Sequence, residues 1–184
     1  MKTIFLPILC VVLFSSCKSS TDGGSTSDLL LNNVIFDVNG NASLNGWTHG
    51  SSDMDSTAHF SNDVPPGSSA KWSLALSPGW LPSTESVFRN FTGLSSGIYK
   101  LTLWGKVTGM REGRGSVLIS SKSLQPWQPS ASASVTDTTW KQITVLDTLT
   151  LKATDTTSIV LTGGTTEIAN WTVLYNNISF EKLP

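Results

Sequence analysis

An all-β fold, an antiparallel sandwich, is what this sequence predicts, and three observations carry the prediction. Within residues 86–107, Tyr99, Leu101, Leu103 and Val107 fall on one face while Lys100, Thr102, Trp104 and Lys106 fall on the other. That is the period of a strand with one side in a core and one side in water. No window after the N-terminal segment places apolar residues at i, i+3, i+4 and i+7, so helices are at most short. Strand-like runs recur instead between Gly, Pro, Asn and Asp clusters. The same patterning suits a barrel, and periodicity alone does not separate the two.

The chain opens on an export segment. Lys2 supplies a positive charge, and Ile4 to Phe14 form an apolar run too short to span a bilayer. Leu13-Phe14-Ser15-Ser16-Cys17 resembles a bacterial lipobox, with Phe14 where Leu is usual. The resemblance implies that residues 1–17 are a lipoprotein signal ending at Cys17, the lipidated residue. A cleaved secretory peptide is the alternative. A multiply acylated Cys17 anchors stably, since each buried methylene contributes about 0.8 kcal/mol. The expected address is the bacterial cell envelope, at the outer membrane, with the periplasmic or surface side left open. Residues 18–27, rich in Ser, Thr and Gly, read as a flexible linker. Residues 28–184 form one domain large enough to bury its own core.

Candidate strands follow in order. They are Val34–Val38, Leu44–Thr48, Thr57–Ser61, Ala70–Leu76, Ser86–Thr92, Ile98–Val107, Gly115–Ser121, Thr139–Leu146, Thr148–Ala153, Ser158–Thr162 and Trp171–Lys182. Trp72, Leu74 and Leu76 share a face in one of them, and Ile159 and Leu161 in another; Ser and Thr fill the opposite faces, as solvated β surfaces do. Ser86–Thr92 and Ile98–Val107 read as two strands joined by a short Gly/Ser turn.

Composition excludes several functions. Cys10 lies inside the export segment, so the domain has no cysteine besides the anchor for a disulfide, a thiolate nucleophile or a zinc knuckle. Twelve Lys and Arg against thirteen Asp and Glu leave a formal net charge of −1, which gives no footing for nucleic acid. Glu85, Glu112, Glu167 and Glu181 are scattered and suggest no paired carboxyls. His49 and His59 come without a Ser or an acid to complete a nucleophilic set. The reading is non-catalytic.

Seven tryptophans remain to be placed. Trp47, Trp72, Trp140 and Trp171 read as core, because burying an indole contributes so much apolar area. Trp80, in Ser77-Pro78-Gly79-Trp80-Leu81-Pro82, and Trp127, in Gln125-Pro126-Trp127-Gln128-Pro129, sit in loops stiffened by proline. Such an indole can stack on a sugar ring, with Gln125 and Gln128 bonding hydroxyls. A hydrophobic plug at the end of the sandwich is the plainer use. Trp104 lies on the wet face of its strand and is a third platform. Arg89, on a strand, is a further candidate contact.

Asn33-Val34-Ile35-Phe36-Asp37 with Gly46-Trp47 resembles the opening of jelly-roll carbohydrate-binding modules of the cellulose- and xylan-binding type. Phe91-Thr92-Gly93-Leu94 with Gly97 to Lys106 resembles their central hairpin. Thr139-Trp140-Lys141-Gln142 and Tyr175-Asn176-Asn177-Ile178-Ser179-Phe180 resemble later strands. The resemblance covers nearly all of residues 30–182 and implies a galactose-binding-like sandwich that holds a polysaccharide. It also implies a structural calcium ion, with Asp37 at one ligand position and Asn176 where the family has Asp. Calcium prefers carboxylate charge, so that substitution weakens the implied site. The rival expectation is an envelope module that docks or adheres to protein and has no sugar ligand.

Overall fold

The computed structural model describes residues 28–50, 57–77, 84–109, 114–121, 129–164 and 171–184. Thirteen strands account for the regular structure there: β1 (Asp28–Val34), β2 (Asp37–Val38), β3 (Asn41–Ala42), β4 (Thr48–His49), β5 (Thr57–Ser61), β6 (Ser73–Ser77), β7 (Thr84–Thr92), β8 (Gly97–Gly109), β9 (Arg114–Ser121), β10 (Ala131–Val135), β11 (Lys141–Leu149), β12 (Thr156–Gly164) and β13 (Trp171–Lys182). They form two main sheets. The first runs β11-β8-β13-β6-β5, with β1 also against β13; the second runs β10-β9-β12-β7-β4, and β2 pairs β3 apart from both. The paired strands of the two large sheets are antiparallel throughout. The architecture is a β-sandwich, one of the two architectures that the alternation allows.

Alternation sets the inside. Along β8, Tyr99, Leu101, Leu103 and Val107 are buried, and the side chains that alternate with them on the other face are half-buried or exposed. Val87 on β7, Val117 and Ile119 on β9, and Ile159 and Leu161 on β12 meet them from the second sheet. Trp47 and Trp171 join this core as expected. Phe180 packs between Phe91 at 5.3 Å and Tyr99 at 5.4 Å between ring centroids.

Tyr175 ties the sheets together by a polar contact. It lies on β13, is fully buried, and donates its hydroxyl proton to the Thr162 carbonyl at 2.6 Å, with the Ser116 carbonyl at 3.3 Å. Burial pushes the phenol well above its ordinary range, although the two carbonyls act the other way. Two glycines make room. A Cβ on Gly115 would stand 2.4 Å from the Tyr175 hydroxyl, and one on Gly163 would stand 2.9 Å from the Leu76 carbonyl.

Strand β13 changes partners midway. Val173–Tyr175 pair β6, Ile178–Lys182 pair β1, and a bulge breaks the β8 ladder between Asn176 and Ser179. Asn177 sits there at φ 52°, a conformation Asn tolerates better than most residues.

Several expected elements differ. β7 and β8 belong to different sheets, so residues 93–96 form a crossover between layers and not a hairpin turn. Alternation reports which face a residue takes; it does not report the neighbouring strand. Residues 70–72 precede β6, and the stretch expected at 44–48 is a turn with Asn45 and Gly46 at φ 50° and 83°, closed by the Trp47 N–H to the Leu44 carbonyl. The segments 139–146 and 148–153 resolve into the single strand β11, ending at Leu149.

Candidate functional site

The face of the first sheet turned away from the core carries the most chemistry. On β8 it presents Ile98, Lys100, Thr102, Trp104 and Lys106; β11 contributes Gln142, Thr144, Leu146 and Thr148. Trp104 stands opposite Gln142 on one side and Asn176 on the other. Trp140 lies one residue before β11, which places it across from Lys106 and diagonal to Trp104. Diagonal neighbours on a sheet face lie roughly 7–8 Å apart, within reach of aromatic side chains. Both indoles are half-buried. The expectation that Trp140 is core is therefore corrected. It shares phase with Gln142 and Thr144 on the wet side, while Ile143 and Val145 take the inner face.

Asp63 joins these groups. Its Oδ2 accepts from Lys106 Nζ at 2.5 Å and its Oδ1 accepts from Trp140 Nε1 at 2.8 Å. Partial burial raises the carboxyl's pKa, but the Lys106 and Trp140 hydrogen bonds and the Lys106 charge outweigh it, so Asp63 stays below the ordinary aspartate value. Asp63 follows β5 at the sheet edge, yet it meets β8 beyond β6 and β13. The segment after β5 thus crosses this face. Leu174 and Asn176 on β13 are buried for that reason although they point away from the core.

Asn176 fastens the returning chain. Its Nδ2 donates to the Trp72 carbonyl at 3.1 Å and to Ser73 Oγ at 3.0 Å, and its Oδ1 accepts the Asn177 N–H at 2.8 Å. Trp72 is a second correction. It is half-buried outside the core cluster and donates its Nε1–H to the Gly40 carbonyl at 3.3 Å, because the chain leaves strand geometry before Ser73.

Beyond the crossing segment the face lies open. Lys100 Nζ is 3.4 Å from Glu181 Oε1, and around this pair stand Leu146, Leu29 and Ile98, exposed by 58%, 51% and 46%. They form a group of exposed apolar side chains around an ion pair.

The other expected site residues fall elsewhere. Arg89 lies on β7, opposite the buried Ile159, with its Nη1 donating to the Asn45 carbonyl at 3.3 Å and its guanidinium against Gly46. It steadies the turn that delivers Trp47. Trp80, Gln125, Trp127, Gln128 and Cys17 lie outside the described residues. The strand ends flanking 78–83 and 122–128 belong to opposite ends of the sandwich, since Ser121 pairs Thr157 where β12 begins while Thr84 pairs Gly164 where it finishes.

Asp37 and Asn176 do meet the same stretch of chain. Asp37 accepts the Gly40 N–H at 2.7 Å and the Lys71 N–H at 3.3 Å, next to the Trp72 and Ser73 atoms that Asn176 holds. Calcium takes about six to eight oxygens with carboxylate charge among them. Here one carboxylate is engaged by N–H groups, and Asn176 turns its nitrogen to the shared segment. The residues do not fit the ion. Asp37 on β2 and Asn176 on β13 are each tied to residues 71–73 by direct hydrogen bonds.

One contact was not legible in the sequence. Glu85 on β7 is fully buried, and its Oε1 meets the Nε2 of His49 on β4, while its Oε2 has no partner among the described residues. His49 and His59 do not approach as a pair, since His49 faces the inter-sheet side and His59 the outer face of the first sheet.

No family model matches the sequence, and no curated protein is significantly similar. Solved structures are. The CBM22-1 xylan-binding domain of Xyn10C from Paenibacillus barcinonensis superposes with a TM-score of 0.57 at 14% identity, over 85% of this chain and 95% of that one. The fold is that of the jelly-roll carbohydrate-binding modules. An arabinose-bound MgGH51 α-L-arabinofuranosidase gives 0.60 at 21% identity over 88% of this chain, and there the match spans only 27% of the longer protein. The Stig cyclase Fisc from Fischerella sp. TAU, crystallised with an indole ligand, gives 0.57 at 11% identity over 86% of this chain and 99% of that one. At such identities the likeness is one of fold, which hosts binding and enzyme proteins alike.

Proposed function

We propose that the chain is a non-catalytic polysaccharide-binding module and that the ligand lies along β8 and β11 on the outer face of the first sheet. The diagonal pair Trp104 and Trp140 is the observation that carries this reading. Two indoles, one on β8 and one just before β11, would offer flat apolar surface to successive sugar rings, and Gln142, Thr102 and Thr144 beside them supply hydrogen-bonding groups for hydroxyls. The neighbouring binding modules support the reading at the level of fold. Trp80, Trp127, Gln125 and Gln128 are further candidate contacts.

Affinity electrophoresis in gels cast with neutral plant and microbial polysaccharides tests it. Each Trp→Ala change at 104 or 140 is expected to cost about 2 kcal/mol, the usual scale for an aromatic anchor and roughly a thirtyfold loss. Retardation that is unchanged in the double variant refutes the site, and release of new reducing ends from the bound polymer refutes the non-catalytic reading. The exposed Leu29, Ile98 and Leu146 favour a second reading, protein docking in the envelope, which predicts capture of an envelope protein that Leu146→Ser abolishes. Anchoring through Cys17 to a membrane is part of the proposal, and detergent-phase partitioning that Cys17→Ser eliminates is its check.

A further inference from the structure

The open face carries its own charge balance, and that balance bears on ligand choice. Among the described residues the lysines on the outer face of its strands are Lys100 and Lys106, and each is matched by a carboxylate, while Lys71, at the end of the crossing segment, has its Nζ beside Gly40. Lys100 Nζ stands 3.4 Å from Glu181 Oε1, and Lys106 Nζ stands 2.5 Å from Asp63 Oδ2. Neither carboxylate is supplied by the strand that bears its lysine. Glu181 comes from β13, and Asp63 comes from the segment that crosses the sheet from β5. The Asp63 carboxylate is also oriented by the Trp140 indole N–H, so the neutralising group and the stacking platform are held as one unit. On the strands themselves, among the described residues, the remaining titratable side chain of this face is His59, at its far edge on β5.

A lone ammonium beside an aromatic platform recruits carboxylated or sulfated chains, by charge at range and by ion pairing at contact. Here both ammonium groups are already paired, and an anionic polymer brings its own charges against two fixed carboxylates. Resting on the glycan-binding reading of this face, we infer that Asp63 and Glu181 are specificity-determining residues that confine the site to uncharged polysaccharide. The selection works by repulsion and by withholding a counter-charge for a group that must lose water on binding.

Matched polymers test this directly. Neutral glucan, xylan, mannan and galactan are each compared with their own carboxymethylated derivative, so that backbone and linkage stay constant. The wild-type chain is expected to bind the carboxymethylated member about tenfold more weakly at low salt, with the gap narrowing as salt screens the carboxylates. In Glu181→Gln, which frees Lys100, the ratio of carboxymethylated to neutral affinity is expected to rise about fivefold at low salt and to return toward the wild-type ratio at roughly 0.5 M salt. A wild type that prefers the carboxymethylated polymer, or a Glu181→Gln ratio equal to the wild-type ratio, overturns the inference while leaving glycan binding intact. Failure to bind either member of every pair overturns the glycan-binding reading, and the inference with it.

Discussion

Replacing His49 by Ala tests the least accommodating contact in the sandwich. Glu85 has a side chain that is 0% exposed, and its partner His49 is 40% exposed at the rim, where β4 pairs the edge of β7. One carboxylate oxygen already lacks a partner among the described residues, so the imidazole is the group that compensates the other. Removing one partner of a buried hydrogen-bonded pair leaves the other unsatisfied, which costs about 1–3 kcal/mol and more where the stranded group is an acid. Water can reach the vacated rim beside the 40% exposed imidazole, which holds the expected cost to about 3 kcal/mol. For a domain of this size that corresponds to a fall in Tm of roughly 6–12 °C. Urea unfolding of His49→Ala, Glu85→Gln and the double variant separates the causes. If the cost is the abandoned carboxylate, the double variant is more stable than His49→Ala, since a side-chain amide has no charge to strand. A His49→Ala loss below about 1 kcal/mol, or a double variant as unstable as the sum of the singles, refutes the reasoning.

Three further outcomes follow from the packing and the electrostatics. Gly163→Ala places a methyl 2.9 Å from the Leu76 carbonyl and 3.0 Å from its Cβ, so the sheets must part; a loss of about 2–3 kcal/mol in denaturant unfolding is expected, and a neutral result disproves the close approach. Tyr175→Phe removes the hydroxyl bonded to the Thr162 carbonyl and should cost about 1–2 kcal/mol by the same measurement. Asp63 is held below the ordinary aspartate value of 3.8, so its contribution is present above that pH and is lost as pH falls through its lower folded value. The stability gap between wild type and Asp63→Asn should accordingly shrink on acid titration below about pH 4, and a gap that widens there contradicts the assignment.

How much of the fold could be read beforehand depends on which strand is considered. β8 was legible because large apolar residues alternate with polar ones over its whole length, and one face is buried along nearly all of it. β10 was not. Its Ala-Ser-Ala-Ser-Val turns Ala131, Ala133 and Val135 inward, but small residues alternating with Ser look like a linker until β9 lies beside them. β1 was hidden by two register shifts and by Asn33 at φ 46°, which break the period that would have announced it. The crossover at 93–96 reads as a hairpin in the sequence because Gly93 and Gly97 signal a change of direction and say nothing about which sheet the chain enters next.

The site turned on one indole whose phase was available in the sequence. Trp140, Gln142 and Thr144 recur at every second residue, and two of the three are polar, so the wet side of the strand includes the tryptophan. Indole area argues for burial only when the rest of the face agrees, and here the aliphatic residues Ile143 and Val145 occupy the other one. What no local pattern could supply is Asp63. Its partners Lys106 and Trp140 lie 43 and 77 residues away along the chain, and it reaches them because the segment after β5 runs across the outer face of the first sheet. That crossing buries Leu174 and Asn176, orients Trp140, and leaves the rest of β8 and β11 uncovered. The candidate surface is therefore a product of topology, in which a loop closes part of a face and the exposed remainder inherits both tryptophans at its border.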